Sequence, residues 1–185
     1  MNKKNILKKL EDDNHYYGDY GKKFLSNSDI GTLLSNPLAL GSEVKSSPAI
    51  IIGRYFHTAL LEPDKLKDFK VIAAATRNTK VYKDKSEGEL CLLQSEVEMV
   101  KSMTTKILDT QMCRDLINKK HCEYEVPMIT ELFGNKWKGK ADVVNHEEEL
   151  VIDLKTTADV NKFRTSAFRY NYDSQAYIYS KLFGY

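Results

Sequence analysis

The chain has 185 residues, of which 42% are hydrophobic and 29% charged, with a net charge of +2. A chain of this size and balance buries a real core, which excludes a disordered or fibrous protein; no apolar run approaches the roughly 18 residues of a membrane span. The small net charge does not by itself point to nucleic acid, and three cysteines (Cys91, Cys113, Cys122) without a CxxC pair argue against a zinc or four-thiolate site.

In chain order, the first 23 residues are polar and tyrosine-rich and read as a loose segment; residues 24–185 read as one domain. The opening MNKKNILKKLEDD is basic but lacks an apolar core, so it does not read as a signal peptide, and a cytoplasmic protein is expected. In LSNSDIGTLLSNP, Ser26, Asn27 or Ser28 can cap a short helix that Pro37 follows. Residues 48–61 read as a second helix. The stretch 67–88 is rich in Lys and Arg and reads as a mobile basic connection into a long helix over about 87–118. Three strands follow, CEYEVPMITEL, KWKGKADVV and ELVIDLK, separated by the turn signals FGN and NHEE. A helix over about 166–183 closes the chain. Helices, then a strand meander, then a helix give a mixed α+β class.

The third strand raises a problem of charge. Between Leu, Val and Ile it carries Asp153 and Lys155, groups that are costly to take from water without a partner. If the NHEE turn centres on His146–Glu149, Asn145 faces Leu150 and Asp142 faces Asp153. Ala141, Val143, Ile152 and Leu154 then share a core face, and Lys140, Asp142, Asp153 and Lys155 share the other. If the FGN turn centres on Phe133-Gly134, Glu125 faces Asp142. Three carboxylates on neighbouring strands would converge. Like charges directly opposite destabilise a sheet, and a hard divalent cation such as Mg²⁺ or Mn²⁺ suits such an oxygen cluster. Against this stands the commoner situation, a solvated sheet face on which Lys140 and Lys155 pair the acids. The assignment also depends on register, since a slip of one residue exchanges the faces.

At GKADVV and LVIDLKTT the chain resembles the PD-(D/E)xK nuclease superfamily, with Asp142 as the first acid and Asp153-Leu154-Lys155 as the D/ExK element. GRYFH, with Gly53 and His57, is similar to the GxxxH helix of the RecB-like and RecE-like exonuclease branch, and QAYIY, with Gln175 and Tyr179, to its QxxxY motif. FLSNSDIGTLLSNP, GRYFHTALLEPDKL and TRNTKVYKDK extend the likeness to phage and prophage RecE-type proteins. The resemblance implies a restriction-endonuclease-like core, a central mixed sheet flanked by helices. It implies a Mg²⁺- or Mn²⁺-dependent DNA exonuclease, 5′→3′ on duplex ends, in phage or prophage recombination within a bacterial or phage-infected cell. It further implies a single-strand annealing protein as partner and a homo-oligomer. Metal ligands would be His57, Asp142, Asp153 and the Leu154 carbonyl, with Glu125 as a further acid. Lys155 would orient or activate water, and Gln175 and Tyr179 would support the site or the DNA backbone. Arg77, Lys80, Lys83, Lys138 and Arg169 would neutralise phosphates. The chain ends at Phe183-Gly184-Tyr185, soon after QAYIY, so a fragment or a minimal version of such a domain is expected. Two competing readings are a nuclease-like DNA-binding module without catalysis and an endonuclease on the same core.

Overall fold

A computed structural model describes residues 2–42, 45–118 and 120–185. In chain order the elements are α1 (Lys3–Leu10), α2 (Asp13–Tyr17), α3 (Asn27–Ser35), α4 (Pro48–Leu61), β1 (Val71–Ile72), α5 (Lys80–Ser86), β2 (Leu92–Leu93), α6 (Gln94–Asp109), α7 (Gln111–Ile117), β3 (Cys122–Leu132), β4 (Asn135–Asn145), β5 (Leu150–Ile152), α8 (Phe163–Arg169) and α9 (Tyr172–Phe183). The chain divides into two compact units. The first comprises Met1–Glu43, His121–Asp153 and Thr157–Tyr185; the second comprises Val44–Lys120 and Leu154–Thr156. The class is mixed α+β.

The first unit is built on the antiparallel meander β3-β4-β5. Its two turns have separate causes. Phe133 and Gly134 both take positive φ (53° and 72°), the two-residue geometry whose twist matches paired strands. It sets Glu131 opposite Lys136. At the second turn the buried Asn145 side chain accepts the amides of Glu147 and Glu148, each at 3.1 Å. That fixes Val143 opposite Ile152 and Asn145 opposite Leu150, the register that the sequence predicts. β5 is shorter than its sequence suggests. It ends at Ile152, so Asp153 and Lys155 lie beyond the strand and strict alternation does not govern them.

On one face of β4, Trp137 packs with Ile178 and Leu182 of α9. Gly139 lets α9 approach: a Cβ there would stand 2.5 Å from Leu182 Cδ1 and 2.8 Å from Tyr179 Cε1. Towards its start, β4 is joined by a single bridge from Leu25. The capping of α3 explains how that segment turns: the Ser26 amide and hydroxyl both donate to Asp29 Oδ2, at 2.7 and 2.8 Å.

The other face of β4 corrects two expectations. The N-terminal segment is helical and packed rather than loose, with Leu10 fully buried and Tyr16 nearly so. Lys138, expected to meet DNA phosphates, is buried: its ammonium donates to the Tyr16 carbonyl and stands 4.1 Å from the Tyr16 ring centroid. Lys140 does not pair with the strand acids; it bonds to Asp13 and lies 4.6 Å from the same ring. Both lysines keep their aliphatic stems in the interior while the heads find an acceptor and an aromatic face.

Burial lowers the Lys138 pKa from 10.5 to about 8, and the nearby Lys140 adds to that while Asp29 opposes it. The unfolded chain therefore binds more protons at this group between about pH 8 and 10.5, so its contribution to stability rises with pH through that window. Denaturant unfolding of wild type and Lys138→Met is expected to show a gap that shifts in favour of wild type from pH 8 to 9.5. A pH-independent gap would mean that Lys138 titrates normally.

In the second unit α4 packs against α6 and the short parallel pair β1–β2. Ile72, Tyr82, Cys91 and Leu93 form a core. The stretch read as a mobile connection is ordered: Thr79 caps α5 through the Tyr82 amide, and the Tyr82 hydroxyl accepts the Cys91 amide at 2.8 Å. The helix read over 87–118 is two helices that follow β2 and part at Thr110. Its first residues pair with β1 instead because Cys91 and Leu92 are buried there. Arg77 is a further correction. Its guanidinium forks onto Glu96, with both bonds at 2.7 Å, and reaches the Cys91 carbonyl. Glu96 also accepts the Leu93 amide at the start of α6. This bidentate pair is a structural clasp, and it occupies the guanidinium that was expected to meet phosphates.

Candidate metal centre

In the first unit, Glu125 and Asp142 come together as the turn geometry predicts. They hold one register between the pairs Tyr124–Val143 and Val126–Ala141. Glu125 itself leaves the ladder with φ of +51°, a left-handed conformation uncommon for a residue with a side chain and often stored at functional sites. A carboxylate oxygen of Glu125 lies within 4.8 Å of one of Asp142. Asp142 is buried and Glu125 half-buried. Two ionised carboxylates this close repel more strongly in a poorly solvated site than in water. The donor set is hard oxygen, which suits a divalent cation.

α9 supplies two further groups. Gln175 Nε2 donates to Asp153 Oδ1 at 2.8 Å, holding the carboxylate that β5 no longer orients. Tyr179 OH donates to the Lys140 carbonyl at 2.9 Å. β5 pairs only with Val143 to Asn145, so that carbonyl lies beyond its reach, and the phenol takes the place of a strand neighbour. Burial raises the Tyr179 pKa well above the usual phenol range, and the charges of Asp153 and then Asp142 add to the rise. Tyr16 is raised by burial first, with Tyr179, Tyr17 and Glu125 contributing. Both phenols therefore stay protonated and can donate at neutral pH. Tyr179→Phe is expected to cost about 1–2 kcal/mol in urea unfolding, because a partly buried carbonyl loses its donor. Unchanged stability would show that water replaces the hydroxyl without loss.

The remaining predicted residues belong to the second unit or to the surface. Leu154 and Lys155 are both half-buried. His57 is half-buried on α4, one turn after Gly53, and its ring meets the Phe56 ring edge-on at 5.9 Å. Gly53 lies close to the residue after Lys155: a Cβ at Gly53 would be 3.6 Å from Thr156 Oγ1. Within that unit, the GxxxH helix and the end of the D/ExK element are therefore neighbours. Lys80 and Lys83 are exposed on α5 of the second unit, and Arg169 is exposed on α8 of the first. Arg77 is held by Glu96 and Lys138 is buried, as described above. Sequence reasoning missed the group formed by Asp13, Tyr16, Lys138 and Lys140. The alternation of Lys138, Lys140 and Asp142 along one face of a strand was a signal for it, but its partners lie far away in the sequence.

Among the described residues, no helix is long and apolar enough to cross a membrane. No curated protein matches the sequence. The fold is similar to a crystal structure of a protein from Eubacterium rectale described as "Putative exonuclease", with a TM-score of 0.62 at 17% identity. The match covers 92% of this chain and 66% of that one, so this chain spans a little less than two thirds of that protein. Residues 35–185 match the model of a family described as a PDDEXK-like domain of unknown function (DUF3799). A match across most of the sequence places the chain in that PDDEXK-like family and so in the PD-(D/E)xK nuclease superfamily.

Proposed function

We propose that the chain is a divalent-metal-dependent DNA exonuclease of the RecE-like type, hydrolysing phosphodiester bonds from duplex ends in the 5′→3′ direction. The observation that carries the reading is the approach of Glu125 to Asp142, with Asp153 held by Gln175. Asp142, Asp153 and Glu125 would give oxygen ligands to Mg²⁺ or Mn²⁺. His57 and the Leu154 carbonyl are assigned as further ligands on the strength of the GxxxH and D/ExK motifs. The bound cation would polarise the phosphodiester and offset charge on the leaving oxygen. Lys155 orients the attacking water by donating to it. Water oxygen forms the new P–O bond as the 3′ oxygen departs, leaving a 5′-phosphate. Gln175 positions Asp153. Tyr179 positions β4 two residues before Asp142. Lys80, Lys83 and Arg169 remain the cationic candidates for phosphate contact, a salt-sensitive contribution.

One family model runs through both compact units, which supports their acting as a single nuclease domain. A single-strand annealing partner, a homo-oligomer, and action in a bacterial or phage-infected cytoplasm rest on the resemblance to RecE-type proteins. End-labelled linear duplex and covalently closed circular DNA, each incubated with Mg²⁺ or with EDTA, test the reading. Linear DNA is expected to shorten from its ends with Mg²⁺ only, and the circle to survive. Cutting of the circle would make the protein an endonuclease. Retained DNA binding without cleavage of either substrate would make it a binding module.

A further inference from the structure

The first unit carries an exposed aromatic surface that the hydrolytic reading does not use. α8 and the start of α9 leave Phe163 40%, Phe168 69% and Tyr170 56% exposed. The rings are organised. Tyr170 stacks on Tyr172 at 6.1 Å with an interplanar angle of 27°, and Phe163 meets Tyr172 at 5.9 Å and 44°. Asn171, with φ of +54°, breaks the helix between the two tyrosines, so both stand at one corner. Exposed cations are interleaved with the rings. Lys162, Arg164 and Arg169 are all at the surface, and the Arg169 guanidinium lies 5.8 Å from the Tyr170 centroid. The acids nearby in sequence are Asp159, which pairs with Lys162 at 3.6 Å, and Asp173. Gln175 follows Tyr172 by one helical turn and bonds to Asp153, so the surface is continuous with the helix that serves the acids.

We propose that Phe163, Tyr170 and Tyr172, with Arg164 and Arg169, form a stacking platform for the unpaired bases of a DNA strand. Every base has a π-face, so stacking on aromatic rings is sequence-tolerant, and the flanking arginines suit the adjacent phosphates. The cations also fit a polyanion better than the apolar face of a second copy. The proposal selects an unpaired strand over a blunt duplex, because paired bases in a stack do not offer a free face. Its link to cleavage rests on the nuclease reading; binding itself does not.

The test is fluorescence anisotropy of the full chain in EDTA, with a labelled oligothymidylate and with a labelled blunt duplex of two complementary strands. Phe163→Ala/Tyr170→Ala is expected to weaken oligothymidylate binding about tenfold or more, since one stacked base contributes about 1–3 kcal/mol. Duplex binding is expected to be unchanged. Tyr170→Trp should keep the affinity and Tyr170→Leu should lose it as Ala does. Equal losses on both probes, a fully active Leu variant, or no strand binding by the wild type would overturn the platform. Sedimentation showing that wild type self-associates and the double variant does not would assign the surface to a second copy instead, and also overturn it. Because EDTA prevents metal-dependent cleavage, a protein that binds in this pattern but cuts nothing with Mg²⁺ would refute the hydrolytic reading alone.

Discussion

Asp142→Asn is expected to lower Mg²⁺-dependent cleavage of linear DNA by about 10³-fold or more while leaving the fold intact. The size follows from the several kcal/mol that a correctly held cation contributes to a phosphoryl transition state, at about 1.4 kcal/mol per tenfold. The fold should survive because the amide has the same shape and because Asp142 sits inside β4, between Ala141 and Val143, which are both paired with β3. Removing one of two carboxylates within 4.8 Å of each other also relieves their repulsion. A second readout separates ligand loss from damage. Mg²⁺ or Mn²⁺ should raise the melting temperature of wild type, as any ligand of the native state does, and should raise that of Asp142→Asn much less. A variant that digests linear DNA at the wild-type rate would remove Asp142 from the site.

The strand region was legible because its signals are local. Phe133-Gly134 and Asn145 fix two turns, the turns fix register, and register brings Glu125 to Asp142. The motifs around Gly53, His57, Gln175 and Tyr179 were readable for a similar reason, since helical spacing alone puts each pair on one face. What failed depended on distant partners. Lys138 looks like a surface lysine until the Tyr16 carbonyl is brought to it from 122 positions away. Arg77 sits in a run of basic residues, yet Glu96 and the Cys91 carbonyl draw it inward. The early end of β5 has no signal in LVIDLK, whose alternation continues past Ile152. What Asp153 bonds to is decided by an amide on α9. The positive φ at Glu125 was equally hidden, because Tyr-Glu-Val reads as ordinary strand.

Tyr16→Ala should be the most destabilising single change in the N-terminal segment, by about 3–5 kcal/mol in denaturant unfolding, the range for deleting a buried aromatic ring. Tyr16 is only 7% exposed, and it is the common surface for two buried ammonium groups, at 4.1 and 4.6 Å from its centroid. Deleting the ring leaves a cavity and withdraws a cation–π partner from Lys138 and Lys140 together. The Tyr16 carbonyl still accepts from Lys138 and Asp13 still pairs with Lys140, so the lysines keep one partner each. Tyr16→Phe keeps the ring and should lie close to wild type. Adding Lys138→Met to Tyr16→Ala should recover part of the loss, because an apolar side chain can share the cavity without burying a charge. This non-additivity is the signature of direct coupling. If Tyr16→Ala were as stable as Tyr16→Phe, α2 would not hold this face of β4, and the burial of both lysines would need another cause.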